Sequence, residues 1–126
     1  MQSAIRKTYY NSVKVFWLDR QLAYENTVQA ARKLGLNIPT VLRVILFGSL
    51  ADGTALPSSD ADILIVINDS NLRFIDRSEQ YRAYFADIGL GIDLFVYTEA
   101  EIARGDIPLA RTALSTGKEI YKKIAV

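Results

Sequence analysis

Neither histidine nor cysteine occurs anywhere in this 126-residue chain. Without cysteine there are no disulfides, no thiolate nucleophile and no thiolate metal site, a usage that fits a reducing compartment, and a cytoplasmic location is expected. Without histidine, the imidazole-dependent mechanisms go as well: Ser-His-Asp triads, Cys-His pairs and His-ligated zinc. Any chemistry has to run on carboxylates, hydroxyls, lysine, arginine or backbone amides. An excess of one charge is also missing. Lys and Arg number 15 against 14 Asp and Glu, and no basic run exceeds two residues, so a broad nucleic-acid footprint is not expected. No apolar run approaches the ~18 residues of a membrane span, and the N-terminus lacks the charged-then-apolar layout of a secretory signal, so no membrane association is expected.

Half of the residues are apolar, enough for one core but in a chain too short for two ordinary domains, so residues 1–126 are expected to form a single domain. Ile5, Tyr9, Val13, Phe16 and Trp17 are spaced as one face of a helix, which predicts an extra N-terminal helix over 1–18, its aromatic stripe packing on this domain or on a second copy. Asp19 is placed to cap a second helix reaching about Leu34, with Gly35 ending it. Val41 to Phe47 reads as a strand running into a tight Gly48-Ser49 turn, and a short helical turn and loop follow over 50–59. Ala61 to Ile67 is a strand whose unbroken Ile63-Leu64-Ile65-Val66-Ile67 run implies cover on both faces. A helix is expected over 68–87, broken by Gly89 and Gly91. Ile92 to Tyr97 makes a third strand, Thr98 caps a short helix, Pro108 opens another, and Lys118 to Lys122 forms a last strand. The fold class is α/β (α+β): a mixed β-sheet covered by helices.

Asp60 and Asp62 stand at the mouth of the buried strand, and the side-chain period of two turns them to the same face. Two like charges held so close raise each other's pKa unless a cation or donors lie between them. A divalent metal resolves the conflict, and with oxygen ligands and phosphate as companions it would be magnesium, or manganese as a substitute. Asp93 repeats the anomaly near the start of the next apolar strand. Three carboxylates on neighbouring strands are what a two-metal phosphoryl or nucleotidyl transfer site requires, one ion holding the triphosphate and the other acidifying the attacking hydroxyl. Gly48 lets backbone approach a triphosphate, and the Ser49 hydroxyl adds a donor. Ser59 shapes the loop or touches phosphate, while Arg43 and Lys118 read as surface charges.

Gly48-Ser49-Leu50-Ala51-Asp52-Gly53 followed by Ser59-Asp60-Ala61-Asp62-Ile63-Leu64 resembles the signature of the minimal nucleotidyltransferases within the DNA polymerase beta superfamily, a likeness that extends from about Asp19 to the C-terminus. The resemblance implies a palm-like fold, a triphosphate gripped by Gly48 and Ser49, metal ions on Asp60 and Asp62, and a triad completed by Asp93. It departs at Asp52, where the family commonly carries arginine, and gives residues 1–18 no role. Many such stand-alone domains are antitoxins paired with an all-helical HEPN-domain toxin, some acting by moving AMP from ATP onto a toxin tyrosine. That implies a magnesium-dependent protein adenylyltransferase with a HEPN-domain partner or, alternatively, a non-catalytic antitoxin that neutralises its toxin by covering it. A homo-oligomer is compatible with either. After the third strand only some thirty residues remain, too few for a separate acceptor-binding domain, so the acceptor is expected to be brought by a partner.

Overall fold

The computed structural model describes residues 2–124. Among the described residues, six strands and six short or medium helices follow one another as β1 (Ile5–Tyr10), β2 (Val13–Leu18), α1 (Arg20–Asn37), β3 (Val41–Phe47), α2 (Ser49–Asp52), β4 (Asp60–Ile67), α3 (Phe74–Arg77), α4 (Glu79–Arg82), β5 (Gly91–Thr98), α5 (Glu99–Ala103), α6 (Pro108–Thr116) and β6 (Lys118–Lys122). The central sheet runs β5-β4-β3-β6, with β4 and β5 parallel and the pairs β3/β4 and β3/β6 antiparallel. The mixed, helix-covered sheet is therefore the architecture observed.

The expected N-terminal helix is not there. Residues 5–18 form an antiparallel hairpin whose tip residues, Asn11 and Ser12, both take positive φ (47° and 66°), the conformation of a two-residue turn matched to strand twist. The helical spacing was one of two periodicities present: Val13, Val15 and Trp17 alternate with period two, and the segment is dense in β-branched and aromatic residues that fit a pleated surface.

Asp19 caps α1 as expected, its Oδ1 accepting the Leu22 N–H at 3.0 Å. The helix nevertheless runs through Gly35 to Asn37, because Gly35 is there for contact and not for termination: a β-carbon on it would lie 2.1 Å from Cζ of Tyr121, whose ring rests on the helix from β6. Gly35→Ala, a change that gains ~1 kcal/mol of helix propensity on an open surface, is therefore expected to destabilise by about 1–2 kcal/mol as the ring is levered off, read as a lower urea midpoint.

The 68–87 segment is not one helix either. It breaks into α3, α4 and a 3-10 turn over Ala83–Phe85, restarting at Ser78. Arg77, not Ile75, turns inward, and its Nε caps the Leu72 carbonyl that precedes α3.

Alternation along the sheet divides the core into two layers. Val44 and Leu46 of β3 and Ile63, Ile65 and Ile67 of β4 pack with Ala23, Ala30, Ala31 and Leu34 of α1 and with Tyr81 and Phe85. Ile45, Leu64 and Val66 face the other way, under Ala113 of α6 with Phe47, Phe95, Tyr97 and Ile102. Both faces of β4 are covered, as its unbroken apolar run required.

Candidate active site

The second layer covers only part of its face. Asp60 and Asp62 share the parity of Leu64 and Val66, and the parallel register sets Asp62 beside Asp93 and Leu64 beside Phe95. All three carboxylates therefore belong to the face carrying the smaller apolar cluster, at its open end. Phe47 of β3 stands opposite Asp62 and meets Phe95 with ring centroids 5.9 Å apart, so an aromatic pair closes the floor between the acids and the core. Asp60 and Asp93 are exposed and Asp62 is half-buried.

That half-burial matters electrostatically. Loss of water raises the Asp62 pKa above its ordinary 3.8, and the charges of Asp93 and then Asp60 push it further in the same direction. Three carboxylates on one open surface carry a cost that a hard divalent cation removes, and an all-oxygen donor set suits such a cation. Among the described residues, however, no group of three acidic side chains is already gathered around a common point. The donors fit such an ion in kind, and the register places them on one face of strands about 4.8 Å apart, so gathering them is left to side-chain rotation.

Two glycines make room for two of the acids. Gly48, at the β3–α2 junction, has φ 74° and ψ −155°, a region open to glycine alone, and a β-carbon there would stand 2.2 Å from Asp62 Oδ2. Gly91, expected only to break a helix, begins β5 opposite Asp60, and its missing side chain leaves the space that Asp60 Oδ1 fills, 2.2 Å from the would-be carbon. Sequence reasoning overlooked this second close approach; its signal was a glycine two residues before an acid at the start of an apolar strand. Gly48→Ala is expected to cost about 1–3 kcal/mol and to dislodge the Asp62 carboxylate, lowering divalent-cation affinity in a calorimetric titration.

Ser49 opens α2, where first-turn amides have no intrahelical acceptor. Ser59 closes a turn: its Oγ accepts the Leu56 N–H at 2.9 Å, and its own N–H donates to the Leu56 carbonyl. Asp52 is exposed at the end of α2, and a cleft of about 250 Å³ brings it together with Arg20, Tyr24 and Lys118. Lys118 thus lies near the turn, its Nζ 5.1 Å from the Tyr24 ring centroid, whereas Arg43 pairs with Glu119 at 2.6 Å across the sheet.

A nucleotidyltransferase domain model matches residues 26–91, more than half of the chain. The chain belongs to the nucleotidyltransferase domain family. The matched stretch of this nucleotidyltransferase domain includes Gly48, Ser49, Asp60 and Asp62 and stops two residues before Asp93. Among solved structures, a candidate nucleotidyltransferase from Sulfolobus solfataricus is similar over 82% of this chain and 84% of its own, with TM-score 0.61 and 21% identity, which speaks for the fold. A chain from a toxin–antitoxin complex with AMP-PNP is similar over 76% of this chain and 73% of its own, with TM-score 0.59 and 26% identity. No curated protein shows a significant match in sequence. Among the described residues, no helix is long and apolar enough to cross a membrane.

Proposed function

We propose that this domain moves AMP from magnesium-bound ATP onto a hydroxyl of a partner protein, a HEPN-domain toxin by the resemblance above. One observation carries the reading: Asp60, Asp62 and Asp93 share the open end of one sheet face, with Asp62 against the Gly48 turn. Divalent ions, when bound, supply charge neutralisation on the triphosphate and acidification of the acceptor hydroxyl. Asp60 and Asp62 would hold them. Gly48 and Ser49 would orient the β- and γ-phosphates, with Ser59 shaping the adjoining loop. Asp93, on the neighbouring strand, would complete the ligand set or accept the acceptor's proton. The acceptor oxygen forms its bond to the α-phosphorus, the bond from that phosphorus to the bridging oxygen breaks, and pyrophosphate departs. An adenine nucleotide and a protein partner are both features of the solved toxin–antitoxin structure, which supports ATP and a toxin as the first candidates.

The test mixes purified domain, magnesium, ATP and a HEPN-domain partner and weighs the partner by mass spectrometry. A gain of one AMP supports transfer; tight binding with no gain, and no magnesium-dependent ATP binding, overturns it. A second reading, an antitoxin that works by cover alone, is favoured by Asp52, an acid on the turn where the family commonly offers arginine, and it predicts the latter outcome.

A further inference from the structure

β5 is an outer strand of the central sheet, and its free side is only partly occupied. At the C-terminal end of that side the Val96 carbonyl accepts from Arg77 Nη1 at 3.3 Å, and the Thr98 N–H donates to Glu101 Oε1 at 2.8 Å. Outward and inward backbone groups alternate along a strand, so Ile92 and Leu94 face the same way as Val96, while Asp93 and Phe95 turn their N–H and C=O to β4. Among the described residues, no turn, loop or side chain hydrogen-bonds to the outward groups of Ile92 or Leu94. The register with β4 is unbroken from Gly91 to Thr98, and Gly91 to Phe95 includes no proline and no lysine. This stretch therefore lacks the bulge, ring or cation that usually blunts a sheet edge. Its one charged residue is Asp93, at the middle.

We propose that an extended segment of the acceptor protein adds to this open edge as an antiparallel strand, with its hydroxyl-bearing residue opposite Asp93. The inference rests on the protein-acceptor reading and specifies how that acceptor is held. Only a polypeptide in extended form offers alternating N–H and C=O groups at the spacing of Ile92 and Leu94. Because the backbone groups of Asp93 turn inward, the residue opposite it forms a non-hydrogen-bonded pair, the closer kind, with Cα atoms about 4.5 Å apart and both side chains on one face. Its two neighbours bond Ile92 and Leu94. Arg77 and Glu101, which occupy the edge from Val96 onward, end the added strand there and so limit its register. Pairing alone then carries the hydroxyl to the acids. Charge speaks against the other occupants. Two copies joined edge to edge over so short a stretch would set both acid triads side by side. A polynucleotide would meet exposed Asp60 and Asp93 and no basic residue from Gly91 to Phe95.

Selection of displayed nonapeptides with serine, threonine or tyrosine fixed at the centre, against the full chain with magnesium, tests this. The selected peptides are expected to slow amide hydrogen exchange at Ile92 and Leu94 of the isotope-labelled chain. N-methylation of the two peptide residues beside the central one, whose N–H groups face β5, should weaken binding about tenfold or more. N-methylation of the central residue, whose N–H points to solvent, should leave binding unchanged. A selection that yields no binder, protection elsewhere than at Ile92 and Leu94, or binding indifferent to where the methyl sits overturns the strand addition. Transfer is read separately, from the mass of the peptide after incubation with magnesium and ATP. A peptide that docks on the edge but gains no AMP removes the transfer reading and leaves the added strand standing; AMP gained equally by every methylated form removes the added strand alone.

Discussion

Asp62→Asn is expected to abolish magnesium-dependent nucleotidyl transfer, by a factor of roughly a thousand or more, and at the same time to make the metal-free protein more stable. The two effects have one origin. Asp62 is half-buried, and burial, then Asp93, then Asp60, raise its pKa. Between the unfolded value near 3.8 and the raised folded value, the native state binds more protons than the unfolded chain, so stability falls as pH climbs through that window and stays reduced above it. Asparagine keeps the shape and removes the penalty, so the variant should melt a few degrees higher at pH 7, and the difference should shrink as the pH approaches 4. Magnesium should raise the melting temperature of the unaltered protein more than that of the variant, since binding to the native state alone stabilises by mass action. Retained turnover, or a variant less stable than its parent without metal, would contradict the site as described.

Arg77→Ala is expected to be the most damaging substitution away from the acids, costing about 3 kcal/mol. The Arg77 residue is 7% exposed, and its Nη1 donates both to the Val96 carbonyl of β5 and to Glu101 Oε1, while Nε holds the Leu72 carbonyl. Glu101 in turn completes a capping box with Thr98, accepting that residue's N–H at 2.8 Å. Burial would raise the Glu101 carboxyl, but the hydrogen bond from Arg77, those with the Thr98 backbone and side chain and the Arg77 charge outweigh it and hold the pKa below 4.5. A lowered carboxylate contributes stability that is present above its unfolded value and is lost as pH falls through the folded one. Removing the arginine leaves two carbonyls and a carboxylate short of a donor and flattens that acid limb. Urea unfolding at pH 7 and near pH 4 reads both: a large loss at the first, a smaller one at the second. Because β5 carries Asp93 three residues before Val96, divalent-cation affinity should fall too. Arg77→Lys, with one point charge for three acceptors, should recover only part of the stability.

Local pattern was sufficient for some of this molecule. The strands over Val41–Phe47 and Asp60–Ile67, the Asp19 and Thr98 caps, the Pro108 start and the pairing of Asp60 with Asp62 on one face all follow from period-two alternation, capping chemistry and backbone restriction, which act over a few residues. Where two local patterns competed, as over residues 5–18, spacing alone chose wrongly, and strand-to-strand pairing across the Asn11-Ser12 turn decided for the hairpin. Gly35 belongs inside its helix because of Tyr121, which lies far along the chain. Arg77 finds Glu101 across 24 positions, and no local rule pairs them. Asp93 reaches Asp62 only through the parallel register of β5 on β4, where a shift of one residue would have turned it to the α1 face. The sequence by itself determined which residues could carry the chemistry, since residue type and short-range alternation are properties of the chain; strand register and packing, which join distant segments, decided which of them face one another.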